Sequence, residues 1–270
     1  MKVILITGAS SGIGYQTAQL LAKQGHKVYG AARRLEKMSG LEKDGVIPIS
    51  LDITDEFSIQ NCVDTIVAAE GRIDILINNA GYGSYGAVED VPLEEARKQF
   101  DVNIFGLARL TQLVLPTMRA QRSGKIVNVS SMGGRVTTLF GAWYHATKYA
   151  LEGFSDCLRM EISQYGIDVV LIEPGGIKTD WGFIAADHLL ETSKGGAYEE
   201  LAAKTAKGMK KQYSSNMLSK PELIAKTIVK AVQKKRPKTR YLIGFGAKPI
   251  VFLKMILPDR VYDKLMTNMS

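Results

Sequence analysis

Short apolar runs recur along the chain and predict buried β-strands. They cover Lys2–Thr7, Lys27–Ala31, Val46–Leu51, Ile73–Asn78, Gly124–Ser130, Asp168–Glu173 and Arg240–Ile243. Between these runs the apolar positions follow helical spacing, which predicts helices at about 12–24, 55–70, 93–121, 143–165 and 221–235. This order is typical of an α/β fold in which helices cover both faces of a parallel sheet. Right-handed crossovers would wind the seven strands into one doubly wound, mainly parallel sheet.

Two stretches depart from this alternation. Residues 176–215 are too long for an ordinary connection, and long loops in compact domains are usually functional. Residues 244–270 form a C-terminal helical or tail extension that mixes apolar and basic side chains. We expect one domain over residues 1–270, in which 176–215 lines a ligand cleft and the tail packs beside that cleft or against a partner subunit.

Composition and charge narrow the class of protein. Apolar residues make up 46% of the 270 positions and charged residues 23%, which is ordinary for a globular protein. Residues 204–264 contain 16 Lys/Arg and only 3 Asp/Glu, which leaves open a solvated basic face, an anionic ligand or weak contact with a membrane surface. No stacking-aromatic pattern accompanies these charges, so we do not expect nucleic-acid binding. The three histidines lack metal-ligand spacing, so we expect no metal site.

The N-terminal segment MKVILITGAS passes directly into the first predicted strand. A secretory signal would need a longer apolar run and a cleavage site, and no apolar stretch is long enough to cross a bilayer. We therefore expect a cytoplasmic protein without a transmembrane segment.

A glycine-rich turn joins the first strand to the first helix and predicts a phosphate-binding site. Glycines let the backbone approach a pyrophosphate, whose charge is favoured at a helix N-terminus. The spacing is T-G-x-x-x-G-x-G, a variant of the usual dinucleotide fingerprint of Rossmann-type folds. The predicted contacts are Gly8, Ser10, Ser11, Gly12, Ile13 and Gly14.

The end of the second strand indicates which dinucleotide binds. An acidic residue about twenty positions after the glycines usually holds the ribose 2′-hydroxyl of NAD. Here Ala32 stands twenty positions after Gly12, and Arg33 and Arg34 follow it. Guanidinium groups suit a 2′-phosphate, so the sequence favours NADP(H).

Further polar residues follow the later strands in a fixed order. They are Asn78-Asn79-Ala80-Gly81, Asn103, Ser130-Ser131 and Tyr144-x-x-x-Lys148. This ordered set resembles the short-chain dehydrogenase/reductase family from residue 2 to about 245. The resemblance implies an NADP(H)-dependent enzyme that interconverts an alcohol and its ketone or aldehyde.

The resemblance also implies roles for single residues. Tyr144 is similar to the family's general acid/base, Lys148 to the lysine that binds the nicotinamide ribose, and Ser131 to the serine that orients the substrate oxygen. Asn103 is similar to the asparagine beside that lysine. The implied cofactor contacts, besides the glycine-rich turn, Tyr144 and Lys148, are Arg33, Arg34, Asp52, Ile53, Asn79, Ala80, Gly81, Pro174, Gly175, Ile177 and Thr179.

The spacing of Tyr144 and Lys148 has a physical rationale. A tyrosine titrates near pH 10, so proton transfer near pH 7 needs a shift of about three units, or about 4 kcal/mol. Lys148 is one helical turn from Tyr144. A cation at about 4 Å in an effective dielectric near 20 supplies about 4 kcal/mol. We therefore expect Lys148 to lower the pKa of Tyr144.

Substrate and assembly are less constrained. The long 176–215 segment, with Trp181, Phe183, Ile184, Leu189 and Leu190, resembles hydroxysteroid and retinol dehydrogenases and implies an apolar lipid-, steroid- or retinoid-like substrate. A 3-oxoacyl-thioester reductase and a non-catalytic NADP(H)-binding regulator remain alternatives. The helices at 93–121 and 143–165 have apolar residues on more than one face, and the resemblance implies a homodimer or homotetramer formed through them.

Overall fold

The computed structural model describes residues 1–268 and builds them around one parallel sheet. The strands are β1 (Val3–Thr7), β2 (Lys27–Ala32), β3 (Val46–Ser50), β4 (Ile75–Asn78), β5 (Gly124–Val129), β6 (Ile167–Pro174) and β7 (Arg240–Ile243). Their order is β3-β2-β1-β4-β5-β6-β7, and every neighbouring pair is parallel. The predicted doubly wound, seven-stranded α/β sheet is thus confirmed. Each predicted strand is present with ends within two residues of the expected ones.

Helices cover both faces of the sheet, as the alternating pattern predicts. They are α1 (Gly12–Lys23), α2 (Ser39–Glu42), α3 (Glu56–Glu70), α4 (Leu93–Phe100), α5 (Leu107–Gln121), α6 (Ala142–Ile162), α7 (Trp181–Thr192), α8 (Glu199–Ser214), α9 (Pro221–Gln233), α10 (Ala247–Ile256) and α11 (Asp259–Asn268). One core layer joins the sheet to α1, α2 and α9, and the other joins it to α3, α5 and α6. The central strands β1, β4, β5 and β6 are almost wholly buried because both of their faces are covered.

The strand order reverses between β1 and β4, and ligands of open α/β sheets bind where such a reversal occurs. The loops that follow these strands begin at the same edge of the sheet. Every sequence-predicted motif except Asn103 lies on a loop or helix start at that edge.

The predicted helix at 93–121 is interrupted in the structure. Between α4 and α5, Asp101–Gly106 forms a π-helical turn. Gly106 ends that turn, and a Cβ there would lie only 2.0 Å from the carbonyl oxygen of Ile53. Close packing of the two backbones therefore accompanies the π-helical turn at this point. The spacing of apolar residues does not reveal such an interruption.

Residues 176–215 are helical rather than an irregular loop, which corrects the expectation from the sequence. Helices α7 and α8 pack on each other through small side chains and Leu189, which is fully buried. Ile184 and Leu190, expected to line a cleft, are instead 49% and 38% exposed. Most apolar residues of this segment are therefore buried between α7 and α8 and do not line a cleft.

The tail folds into α10 and α11 behind the loop that follows β5. Val251 of α10 and Tyr262 of α11 form a buried cluster with Val136 of that loop. The Tyr262 hydroxyl also donates to the Thr137 carbonyl at 3.3 Å. Residues 269 and 270 of the predicted tail lie outside the described residues. A search of residues 1–268 for a helix with the length and apolarity of a membrane span finds none.

Candidate active site

The glycine-rich turn between β1 and α1 forms an open anion-binding cradle. A Cβ on Gly14 would lie 2.3 Å from the Gly8 carbonyl oxygen, so the turn closes only around glycine at this position. Gly8 and Gly12 have φ values of +68° and +55°, a region that side chains disfavour. Ser11 precedes α1 in an extended conformation and makes no side-chain cap hydrogen bond. The first backbone N–H groups of α1 are therefore not capped by a serine side chain and can donate to a ligand. The helix macrodipole favours an anion at this end of the helix.

The segment after β4 is tied to this cradle. The Asn79 side chain donates to the carbonyl oxygens of Thr7 at 3.0 Å and Gly8 at 3.3 Å. In return, the Thr7 hydroxyl accepts the backbone N–H groups of Asn79 and Ala80 at 3.0 and 2.9 Å. These four bonds hold Asn79, Ala80 and Gly81 beside the turn.

Arg33 and Arg34 follow β2 at the same edge and are both exposed. The neighbouring strand β3 leads to Asp52. The Thr54 backbone N–H hydrogen-bonds to Asp52, and together with the Arg33 charge it holds the pKa of that carboxyl below its ordinary value, although burial acts in the other direction. Ile53 is buried at the base of this side of the cradle. A guanidinium pair and a partly buried carboxylate therefore border one end of the groove.

The segment after β6 borders the other end. Pro174 ends the strand, and the Gly175 N–H donates to the Ile243 carbonyl at 2.8 Å. Ile177 is buried and bridges to Ser219. Thr179 reaches back across the groove: a Cβ on Gly12 would lie 3.6 Å from its methyl group. Thr179 and the glycine-rich turn therefore form facing walls of one groove.

Asn103 lies in the π-helical turn and connects two parts of the site. Its amide donates to the Tyr82 carbonyl at 2.9 Å and to the Thr147 hydroxyl at 3.0 Å, and its oxygen accepts the Tyr82 N–H at 3.1 Å. A Cβ on Gly81 would lie 3.0 Å from that oxygen and 3.9 Å from Lys148 Nζ. Asn103 thus fixes the loop after β4 against α6, next to Lys148.

Tyr144 is buried near the start of α6, under an aromatic cover. Its ring centroid lies 5.0 Å from that of Trp181 in α7 and 6.0 Å from that of Tyr85. Burial raises the pKa of Tyr144 above its ordinary value, and a hydrogen bond with Ser131 opposes that rise. The structure therefore brings Ser131 and Tyr144 together, as the sequence predicts, and favours the protonated phenol.

The position of Lys148 differs from the one expected of a cation that lowers the pKa of Tyr144. Its Nζ donates to the Val129 carbonyl at 3.1 Å and lies 5.9 Å from the centroid of the Tyr144 ring. Burial lowers the pKa of Lys148 to about 8, and the charge of Glu152 opposes that fall. The expected lowering of the Tyr144 pKa is thus absent here, because desolvation acts on both groups and Lys148 is oriented by the end of β5.

Several site residues are missed by sequence reasoning. Tyr85 lies in an irregular loop, where no periodic pattern distinguishes it, and Tyr213 of α8 packs on Trp181 with ring centroids 6.3 Å apart. His145, adjacent to Tyr144, contacts the Gly133 carbonyl at 2.9 Å and the Thr138 hydroxyl at 2.9 Å, which holds the loop that carries Ser131. Because His145 directly follows Tyr144 in the sequence, its position could have identified it as a residue of the site.

An apolar groove of about 880 Å³ opens beside Tyr85 and His145. Its walls come from the loops after β4 and β5, from the first turns of α6, and from Tyr198. Phe140 and Tyr198 meet edge to face across one end, with ring centroids 6.2 Å apart. Mostly apolar walls next to the buried Tyr144 suit a hydrophobic group better than a charged one.

Comparisons with known proteins agree with this geometry. The family model described as short chain dehydrogenase matches residues 2–184. The chain is 39% identical to a probable short-chain type dehydrogenase/reductase of Helicobacter pylori, covering 97% of this chain and 95% of that protein. It is 37% identical to a 3-ketodihydrosphingosine reductase of Bacteroides thetaiotaomicron (90% and 88% covered) and 32% identical to an NADPH-dependent 3-dehydrocapnine reductase of Ornithobacterium rhinotracheale (98% and 96% covered).

Solved structures give the same result. A short-chain dehydrogenase from Streptomyces avermitilis superposes with a TM-score of 0.81 at 34% identity, covering 98% of this chain and 94% of that one. A closed form of serine dehydrogenase complexed with NADP+ superposes with a TM-score of 0.76 at 25% identity, covering 90% and 94%.

The π-helical turn yields a first prediction. Asn103→Ala removes three hydrogen bonds and leaves both backbone groups of Tyr82 without their side-chain partner. The two Tyr82 groups are partly buried, so each lost bond costs about 0.5–1.5 kcal/mol, and we expect the free energy of unfolding to fall by about 2 kcal/mol. Chemical denaturation measures this, with Asn61→Ala on the exposed face of α3 as the control. Equal stability of the two variants would contradict the bracing role of Asn103.

Proposed function

Because the chain belongs to the short-chain dehydrogenase family, we propose that it is an NADP(H)-dependent oxidoreductase that interconverts an alcohol and its carbonyl on a long, apolar substrate. One observation supports the reaction class above all others. The structure gathers Ser131, Tyr144, Lys148 and Asn103 at one point of the carboxyl edge, beside the anion cradle and beneath an aromatic cover.

The groove fits the cofactor that the family implies. Gly8, Gly12 and Gly14 leave room for a pyrophosphate where a Cβ at Gly14 would collide with backbone, and the uncapped start of α1 supplies amide donors. Arg33 and Arg34 offer cations to a 2′-phosphate at the exposed end. NADP(H) is the cofactor that matches these residues, and a related structure is complexed with NADP+.

Each catalytic residue has a distinct task in this proposal. When bound, NADPH supplies a hydride to the carbonyl carbon of the substrate. Tyr144 gives its proton to the carbonyl oxygen, and Ser131 donates a hydrogen bond to the same oxygen. Lys148 provides the positive charge that stabilises the resulting tyrosinate. Burial raises the pKa of Tyr144, so the phenol carries the proton that carbonyl reduction requires.

Two observations support a long apolar substrate. Trp181, Tyr85 and Tyr213 surround Tyr144, and the neighbouring groove of about 880 Å³ is mainly apolar. Two relatives are named for the reduction of 3-ketodihydrosphingosine and 3-dehydrocapnine. We therefore infer that the substrate carbonyl lies next to Tyr144 while an alkyl chain occupies the groove.

Tyr144→Phe tests the reaction with little change in packing. We expect turnover to fall to below about one percent, because the phenyl ring lacks the transferable proton, while NADPH binding stays nearly intact. NADPH oxidation is measured with 3-ketodihydrosphingosine, retinal, acetoacetyl thioesters and small polar ketones. Tyr165→Phe, at a half-buried tyrosine in the turn before β6, serves as the control. Retention of more than a few percent activity would show that another acid acts.

The same panel separates the alternatives. A preference for acetoacetyl thioesters would favour a 3-oxoacyl-thioester reductase, and a preference for small polar ketones would refute the apolar substrate. Tight NADPH binding without turnover of any carbonyl would favour a non-catalytic regulator.

Cofactor preference depends on Arg33 and Arg34 in this proposal. NADPH is expected to bind at least about tenfold tighter than NADH, since one charge-assisted hydrogen bond contributes about 1.5–3 kcal/mol. Arg33→Ala should reduce that ratio by about ten- to a hundredfold, measured by the fluorescence of the bound reduced cofactors. Arg97→Ala, an exposed arginine on α4, should leave the ratio unchanged. Equal affinities for the two cofactors in the wild-type protein would refute the assignment.

We also propose a homodimer formed through α6. Beyond the groove, its outer face is an exposed stripe without charged residues over about three turns, made of Ala150, Gly153, Cys157 and Met160. Small residues let two helices approach closely, and a solvated helix face would be expected to carry charge. The apolar residues Leu110, Val114, Leu151 and Leu158, by contrast, are buried within the chain.

Ala150→Arg places a charge on this stripe and should convert a dimer into a monomer. Light scattering at micromolar concentration measures the mass, and Ala68→Arg on the exposed face of α3 is the matched control. A wild-type monomer, or an Ala150→Arg protein that remains a dimer, would refute this interface.

A further inference from the structure

Two glutamates outside the proposed catalytic set are buried behind Lys148. Glu152 lies one helical turn after Lys148 in α6 and is 8% exposed, whereas Glu173 lies in β6 and is fully buried. Buried carboxylates are costly unless a cation or hydrogen-bond donors compensate them. Two carboxylates buried next to a buried lysine are therefore expected to have a structural or functional role.

One arginine of the edge strand β7 holds these carboxylates. Arg240 Nε lies 3.1 Å from Glu152 Oε2 and 3.1 Å from Glu173 Oε1. Its terminal nitrogen lies 2.6 Å from Asp156, which also pairs with Arg159. Arg135, in the loop after β5, lies 3.6 Å from the second oxygen of Glu173. Among the described residues, Arg240, Arg135, Asp156 and Lys148 are thus the charged side chains that border the two glutamates.

The second oxygen of Glu152 is turned away from Arg240. Glu152 Oε1 is buried and has no hydrogen-bond partner among residues 1–268, and the same holds for the hydroxyl of Ser130. Both residues converge at Gly134, where a Cβ would lie 2.9 Å from Glu152 Cγ, 2.9 Å from the Lys148 carbonyl oxygen and 3.1 Å from the Ser130 hydroxyl. One oxygen of Glu152 is therefore held by Arg240, and the other is buried without a hydrogen-bond partner on a residue one helical turn from Lys148.

We propose that Glu152, positioned by Arg240, is the counter-charge that keeps the buried Lys148 ammonium protonated during the reaction. It is a positioning residue, since it acts through Lys148 and touches neither substrate nor cofactor in this assignment. The inference rests on the proposed function for its catalytic consequence, but the charge of Lys148 can be measured without turnover.

The balance of charges supports this role. Burial lowers the pKa of Lys148 to about 8, and Glu152 is the group that opposes the fall. Burial also raises the pKa of Glu173, and the neighbouring Glu152 charge adds to that rise. Two carboxylates so close together cannot both ionise easily, and the raised pKa of Glu173 marks it as the member that takes up a proton more readily.

The direct test measures the titration of Lys148 by NMR of protein labelled with ¹³Cε-lysine, with the resonance assigned from Lys148→Met. We expect Glu152→Gln to lower the Lys148 pKa by about one unit, equivalent to about 1.4 kcal/mol, so that about half of the lysine is uncharged at pH 7. Glu152→Asp keeps the carboxylate and should restore most of the charge. An unshifted Lys148 titration in Glu152→Gln would overturn the proposal whether or not the enzyme turns over.

Asp156→Asn is the matched control for the ion-pair network. It removes a carboxylate that Arg240 contacts one turn further along α6, but it leaves Glu152 in place. If Glu152 acted only by anchoring β7, both substitutions would lower the thermal unfolding temperature and neither would move the Lys148 titration. We expect only Glu152→Gln to move it.

The kinetic consequence is a shift of the pH profile. In the direction of carbonyl reduction, the alkaline limb of kcat/KM should move to lower pH by about one unit in Glu152→Gln and stay in place in Asp156→Asn. A wild-type protein without any reductase activity would refute the proposed function but leave the NMR result to decide on Glu152. An active wild type with identical profiles in both variants would refute the role of Glu152 in the reaction.

Discussion

A lysine ammonium inside a protein must be compensated for the water it has lost, and much of this site can be understood from that constraint. Lys148 is 7% exposed, and its pKa is lowered by burial. A carbonyl oxygen at the end of β5 accepts one of its hydrogens, and the carboxylate of Glu152 lies one turn away. Both partners depend on the fold, because β5 and α6 must meet in one register, as the hydrogen bond between Asn128 and Ser155 shows.

That register is set by polar contacts inside the sheet as well as by apolar packing. Asn78 at the end of β4 donates to Asn128 of β5 at 2.9 Å, and Asn128 donates to Ser155 of α6 at 2.9 Å. All three residues are buried, so a slip of one strand would leave several amide groups without partners. The ladder fixes α6 against β4 and β5, and with it the positions of Tyr144 and Lys148. The bracing of Asn103 against Thr147 adds a second fixed point on the same helix.

The sequence predicts the parts of this arrangement that depend on local pattern. Short apolar runs and helical spacing predict the strands and most helices, and the order of Gly8, Tyr144 and Lys148 predicts which edge carries the site. What it misses depends on contacts between distant segments. The π-helical turn arises where Gly106 packs on the carbonyl of Ile53, 53 residues earlier. The charge state of Lys148 depends on Glu152 and, through Arg240, on the edge strand, a pairing that spans 88 residues.

The long segment 176–215 shows the same distinction between composition and placement. Its apolar residues suggest a cleft lining, yet most of them join α7 to α8, and Trp181 alone among the five expected residues packs on Tyr144. This arrangement has a chemical consequence, because the side chain that covers the phenol also excludes water from it. Exclusion of water raises the pKa of Tyr144 and strengthens every charge interaction around it. In the proposed reaction the aromatic cover would therefore act on proton transfer as well as on substrate choice, and a carbonyl compound that displaced Trp181 would have to replace its contacts with apolar surface of its own.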